Sequence, residues 1–135
     1  MKKVIIATHY TLAKGYKETL AGITGENDSV FAVCAYLNNT GKEDLVESIQ
    51  NIVEDGNEYF ILTDLGFGSV NQAVSQFLSD KIHVITGVNL PFALELILAV
   101  KNDLPINITE MIKDARGQLM DVSQMTLISN DEDDE

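Results

Sequence analysis

Four short apolar runs set the rhythm of the chain: Val4 to Ala7, Val30 to Leu37, Tyr59 to Thr63 and Ile82 to Thr86, recurring at intervals of just under thirty residues. They are rich in Val, Ile and Phe, the pattern of strands buried on both faces. The segments between them change to a helical period. Leu12, Tyr16, Leu20 and Ile23 make one stripe after the first run. Leu45, Val46, Ile49, Ile52 and Val53 make another after the second, and Val70, Ala73, Val74 and Phe77 a third.

Punctuation agrees with these elements. Thr40-Gly41-Lys42-Glu43 reads as a capping box that opens the second helix, and Gly56 as its end. Pro91 suits the first turn of a fourth helix, where its missing N–H is not needed. A fifth helix is predicted from Thr109 to Met120 with Met111, Ile112, Ala115 and Leu119 inward, and Val122 to Ser129 as a last, more exposed strand. Strand–helix alternation at this spacing means right-handed βαβ crossovers. The predicted fold class is therefore α/β, an open, mostly parallel sheet of four strands in flavodoxin-like order, flanked by helices. Residues 1–129 read as a single domain and residues 130–135 as an acidic tail.

Composition narrows the function classes. A chain of 135 residues with 45% hydrophobic and 22% charged residues is globular and large enough to bury one core. The net charge of −12, with five acidic residues from Asp131 to Glu135, argues against a nucleic-acid or anionic-membrane binder. It suits steering towards a basic face on a protein, although a tail that only keeps the chain soluble reads the same. The opening Met1-Lys2-Lys3 and apolar run fall short of a signal peptide, because His9 and Lys14 follow closely. The stretch from Leu90 to Val100 contains Pro91 and Glu95 and is too short to span a bilayer. A soluble, cytoplasmic protein is expected, and the lone Cys34 suits a reducing compartment.

In an open parallel sheet, chemistry gathers beyond the carboxyl ends of the strands. The first strand ends on Thr8-His9-Tyr10 and the third on Asp64-Leu65-Gly66-Phe67-Gly68-Ser69. These two strands are neighbours in flavodoxin-like order. A carboxylate on one imidazole nitrogen fixes the tautomer and leaves the other lone pair facing outward, a nucleophile suited to phosphorus. Gly66 and Gly68 allow close backbone approach, and Ser69 opens the third helix, where free N–H groups and the positive helix end suit phosphate oxygens. Thr8, Tyr10 and Thr11 are further candidate donors. Each piece alone has a bland counterpart: a structural histidine, an Asp that caps a helix, a common Gly-x-Gly-Ser turn. Their combination at two neighbouring strand ends favours function. No phosphate loop of the Gly-x-x-x-x-Gly-Lys-Ser/Thr type and no Cys/His cluster with metal spacing occurs, so neither metal nor cofactor is expected. His83, inside the fourth strand, and Cys34 read as structural.

The opening Val-Ile-Ile-Ala-Thr-His, the loop from Asp64 to Ser69, and Gly87-Val88-Asn89-Leu90-Pro91 resemble the mannose-type IIA component of the bacterial phosphoenolpyruvate-dependent sugar phosphotransferase system. The likeness runs from Met1 to about Met120. It implies that His9 takes a phosphoryl group from phospho-HPr and hands it to a IIB component, which serves the membrane permease components. It further implies that Asp64 orients His9, that Ser69 helps hold the phosphoryl group, and that the chain forms a homodimer in which the last strand joins the partner's sheet. An ordinary intrachain edge strand would look the same. The family loop runs Asp, two residues, Gly-Gly, Ser or Thr, then Pro; here Phe67 splits the glycines and Val70 replaces the proline. Two other readings remain. A receiver domain would be phosphorylated on Asp64 but needs an acidic pair where Thr8-His9 stands. A regulatory or binding module would keep the fold without carrying phosphate.

Overall fold

The computed structural model describes residues 1–125. Its strands are β1 (Lys2–His9), β2 (Val30–Ala35), β3 (Glu58–Thr63) and β4 (Ile82–Ile85). Its helices are α1 (Leu12–Thr24), α2 (Lys42–Ile52), α3 (Ser69–Val74), α4 (Leu90–Lys101) and α5 (Ile108–Arg116). The sheet order is β2-β1-β3-β4 and every pairing is parallel, the arrangement the sequence predicts.

Alternation along β1 and β3 explains why both need continuous apolar residues. Val4, Ile6, Phe60 and Leu62 face a core completed by Leu20 of α1, Leu96 and Ile97 of α4, and Met111 of α5. Ile5, Ala7, Tyr59 and Ile61 face the opposite core, completed by Leu45 and Ile49 of α2 and Val70 and Val74 of α3. Successive side chains of a strand point to opposite faces, so a polar residue at any of these positions would be buried without water. The Tyr59 hydroxyl escapes that cost by donating to Ile52 O and accepting from Glu54 N.

The structure corrects several boundaries. Leu12 and Ile23 of α1 are exposed, and the buried stripe runs instead through Ala13, Leu20 and Thr24, with Tyr16 half-buried. At α2 the N-cap is Gly41, whose N–H donates to Asp44, while Thr40 turns back to Leu37 O. The capping pair thus lies one residue later than Thr40 and Glu43. α2 ends at Ile52, and Gly56 occupies the following turn at a φ of +92° that favours glycine. Pro91 does lie in the first turn of α4, where Asn89 accepts from Phe92 N. α5 stops at Arg116, four residues short of Met120, and Leu119 is exposed. The expected strand from Val122 begins as helix at residues 122–125. The cause is local: the Asp121 carboxylate accepts from both the N–H and the hydroxyl of Ser123, an N-terminal cap. The rest of that expected strand, residues 126–129, and the acidic tail lie outside the described residues.

Among the described residues no helix is long and apolar enough to cross a membrane. Pairing of Ala7 with Thr63 puts the carboxyl ends of β1 and β3 side by side, so His9 and Asp64 leave adjacent strands at one edge.

Candidate active site

His9 is the last residue of β1, and the chain turns sharply after it through Tyr10, at a φ of +54°. Its Nδ1 lies 3.0 Å and 3.2 Å from the two carboxylate oxygens of Asp64. A carboxylate only accepts, so Nδ1 carries the proton and Nε2 keeps its lone pair. Asp64 is fixed in turn by two backbone donors: His9 N–H at 3.0 Å and Leu65 N–H at 3.0 Å. The carboxylate is only 12% exposed against 26% for the imidazole, so water reaches the ring's outer side more readily than the pair's contact.

The loop after β3 is pinned from below. Asn71 donates to Gly66 O at 3.2 Å, and the buried Thr63 hydroxyl lies 3.1 Å from Asn71 Oδ1 and 2.8 Å from Thr86 Oγ1. Gly68 abuts the histidine: a Cβ there would lie 3.0 Å from His9 Cε1. Its φ of −87° suits any residue, so the glycine serves close approach and not a left-handed turn. Phe67 points away, fully exposed, so splitting the glycine pair leaves this approach intact. Gly68→Ala is expected to fold normally but to shift the imidazole by a few tenths of an ångström. The His9 Cε1–H resonance should move while the thermal melt stays unchanged, and an unmoved resonance would show that the absent Cβ does not make room for the ring.

Ser69 is the exposed first residue of α3, and its hydroxyl pairs with that of Tyr36. α3 has only six residues, so its field on an anion is smaller than the sequence suggests. Thr8 does not line the surface. It is fully buried, and its hydroxyl accepts from Ala13 N at 2.7 Å, tying α1 to β1. Tyr10 and Thr11 are exposed beside the site, and no side-chain hydrogen bond caps α1 at Thr11. His83 faces a sheet surface, stacked on Phe60 at 4.9 Å and 2.6 Å from Glu58, away from His9. Cys34 is half-buried in β2 among core residues. Among the described residues no group of His, Cys, Asp and Glu is placed to hold a metal ion.

Sequence reading passed over two tyrosines. Tyr36, just beyond β2, packs its ring 5.5 Å from the His9 ring and shares a hydrogen bond with Ser69 Oγ. Tyr16 of α1 donates to Val88 O at 3.3 Å. Burial, and then the nearby Asp64 carboxylate, push the Tyr16 phenol above its ordinary value of 10.0. An acid held neutral in the fold but free to ionise when unfolded stabilises fully below the unfolded value. That stability fades as pH rises towards the higher folded value. Thermal midpoints between about pH 8 and about pH 11 should therefore fall less steeply in Tyr16→Phe than in the wild type.

The sequence model of the family described as PTS system fructose IIA component matches residues 3–115. The chain belongs to this family. The match to this mannose-type IIA component spans every element from β1 to α5, including both His9 and the Asp64 loop. Solved structures agree. The PTS IIA protein associated with the fucose utilization operon of Streptococcus pneumoniae superposes with a TM-score of 0.81 at 31% identity, over 93% of this chain and 96% of that one. The phosphotransferase system component EIIA of Streptococcus agalactiae gives 0.76 at 26% identity, over 92% and 99%. The mannose/sorbose specific IIA subunit of Enterococcus faecalis, at 19% identity, shares the fold with a TM-score of 0.74 over 90% and 95%. No curated protein sequence matches the chain. The chain is thus a sugar phosphotransferase system IIA component with the α/β fold of that family.

Proposed function

We propose that this IIA component is a histidine phosphocarrier: Nε2 of His9 accepts a phosphoryl group from phospho-HPr and passes it to a IIB component. One observation carries the reading. Asp64 engages Nδ1, so the free lone pair of His9 is on Nε2, the nitrogen not held by the fold. In the transfer that lone pair forms the new N–P bond while the P–N bond of the donor phosphohistidine breaks, its electron pair returning to the donor imidazole. His9 then bears a phosphoryl group on Nε2 and a proton on Nδ1, a cationic ring that the adjacent carboxylate stabilises. No covalent step beyond this in-line exchange is needed, so positioning and neutralisation of phosphoryl charge supply the catalysis. Ser69, Gly66 and Gly68 form the wall of the loop against which the phosphoryl oxygens lie. The carrier acts in the cytoplasm and serves the membrane permease components through IIB.

Phosphorylation of Asp64 itself, as in a receiver domain, is disfavoured by its surroundings. Both oxygens already accept hydrogen bonds and the group is nearly buried. Incubation with phosphoenolpyruvate, enzyme I and HPr tests the proposal. Intact mass should show one acid-labile phosphoryl group that is absent when HPr is omitted. A well-folded protein that gains no mass under these conditions would refute the carrier role and leave a regulatory module of the same fold.

A further inference from the structure

Tyr36 occupies a costly position. It follows β2 with a φ of +66° and a ψ of +16°, the left-handed region, which a bulky aromatic residue seldom adopts. Asn38 and Asn39, which follow, also have positive φ, but asparagine tolerates that conformation far better. Backbone strain of this kind persists where the surroundings enforce it, often at functional sites. What the strained turn achieves is visible in the side chain. The ring lies 5.5 Å from the His9 ring at a tilt of 37°, and the hydroxyl meets Ser69 Oγ across 33 residues of sequence. The hydroxyl pair is exposed to solvent, so burial does not require the two groups to satisfy each other.

Resting on the carrier reading above, we propose that Tyr36 is a further phosphoryl-contacting residue of this site: its hydroxyl and that of Ser69 form a two-pronged clamp for the oxygens of the group on His9. In the resting protein one hydroxyl donates to the other. When the phosphoryl group arrives, that bond opens and each O–H turns to donate to a separate phosphoryl oxygen. No proton is transferred and no bond other than the N–P pair changes. The aromatic ring meanwhile limits how far the imidazole can swing. A hydroxyl donating to a charged oxygen stabilises more than one donating to a neutral hydroxyl, so the exchange favours the phosphorylated state.

Tyr36→Phe is the discriminating variant, because it keeps the ring against His9 and removes only the hydroxyl. Single-turnover transfer from phospho-HPr, the half-life of phospho-His9 and its ³¹P chemical shift would be measured on wild type and variant, with a thermal melt as the folding check. The expected result is transfer about tenfold slower, a KM for HPr unchanged, a shorter-lived phosphohistidine and a moved ³¹P resonance. A residue that merely shaped the loop would alter the melt but not the resonance of the phosphoryl group. Wild-type rates together with an unmoved resonance in Tyr36→Phe would overturn the clamp while leaving His9 as the carrier. A wild-type protein that acquires no phosphoryl group would overturn the carrier reading itself, and the clamp with it, before any variant is compared.

Discussion

Alanine in place of His9 is expected to give a folded protein that accepts no phosphoryl group at all. The side chain is the only proposed acceptor, so the loss should be complete and not partial: intact mass after incubation with phosphoenolpyruvate, enzyme I and HPr stays at that of the unmodified chain. Folding should survive, for reasons visible at the site. The imidazole lies at the end of β1, about a quarter exposed, and contributes nothing to either core. Asp64 keeps the backbone donors of residue 9 and Leu65, so removing the ring leaves no buried carboxylate without partners. A stability change within about 1 kcal/mol is expected. A His9→Ala protein that still gains an acid-labile phosphoryl group would place the acceptor elsewhere.

The next largest effect is expected of Asp64→Asn. The substitution keeps shape but reverses polarity at the contact with Nδ1. An amide that donates there draws the lone pair to Nδ1 and sends the ring proton to Nε2, where attack on phosphorus needs an empty hydrogen-bonding site. It also removes the negative charge that offsets the cationic phosphoimidazole. Acceptance from phospho-HPr should slow by about a hundredfold or more, the scale of losing a positioned proton-holding group. Rapid-quench transfer measures the rate, and the ring's tautomer can be followed independently by ¹⁵N resonances of His9. Near-normal transfer with the proton still on Nδ1 would show that Asp64 does not orient the nucleophile.

Most of the architecture was legible because strands buried on both faces must be apolar throughout. That rule located all four strands, and the βα alternation then made β1 and β3 neighbours, bringing His9 to Asp64. What escaped depended on small or polar residues in the core. The buried stripe of α1 uses Ala13 and Thr24, which carry weak apolar signals, so the more greasy but exposed Leu12 and Ile23 took their place. Thr24 is at home in the interior because its hydroxyl donates to Leu20 O. Leu119 misled in the same way, since α5 ends before it. At the C-terminal side, Val122, Met125 and Leu127 resemble strand residues, and only the Asp121–Ser123 cap shows that residues 122–125 turn helical.

At the site, the partners fixed by the strands were visible and those fixed by loop conformation were not. Tyr36 lies inside the apolar run from Val30 to Leu37 and reads as a strand residue; nothing in the letters reveals a left-handed turn that swings its ring to His9. Thr8 shows the reverse case. Its position beside His9 made it a natural donor to phosphate, but alternation along the strand buries its side chain, and α1 takes up its hydroxyl. Gly68 proved informative for a reason unrelated to turn chemistry, since the absent Cβ makes room for the imidazole.

The order of the sheet also bears on how the chain is made. β1 is made before both of the strands that flank it in the finished sheet, and its partner Glu58 is synthesised 56 residues after Lys2 (58 − 2). At about 5–20 residues per second, the nascent β1 waits several seconds for β3. During that interval its apolar residues and one row of peptide groups face the cell unpaired, a segment suited to holdase chaperones. Slowing translation before Glu58 should lengthen that exposure and raise aggregation of the half-made chain above that of the finished protein.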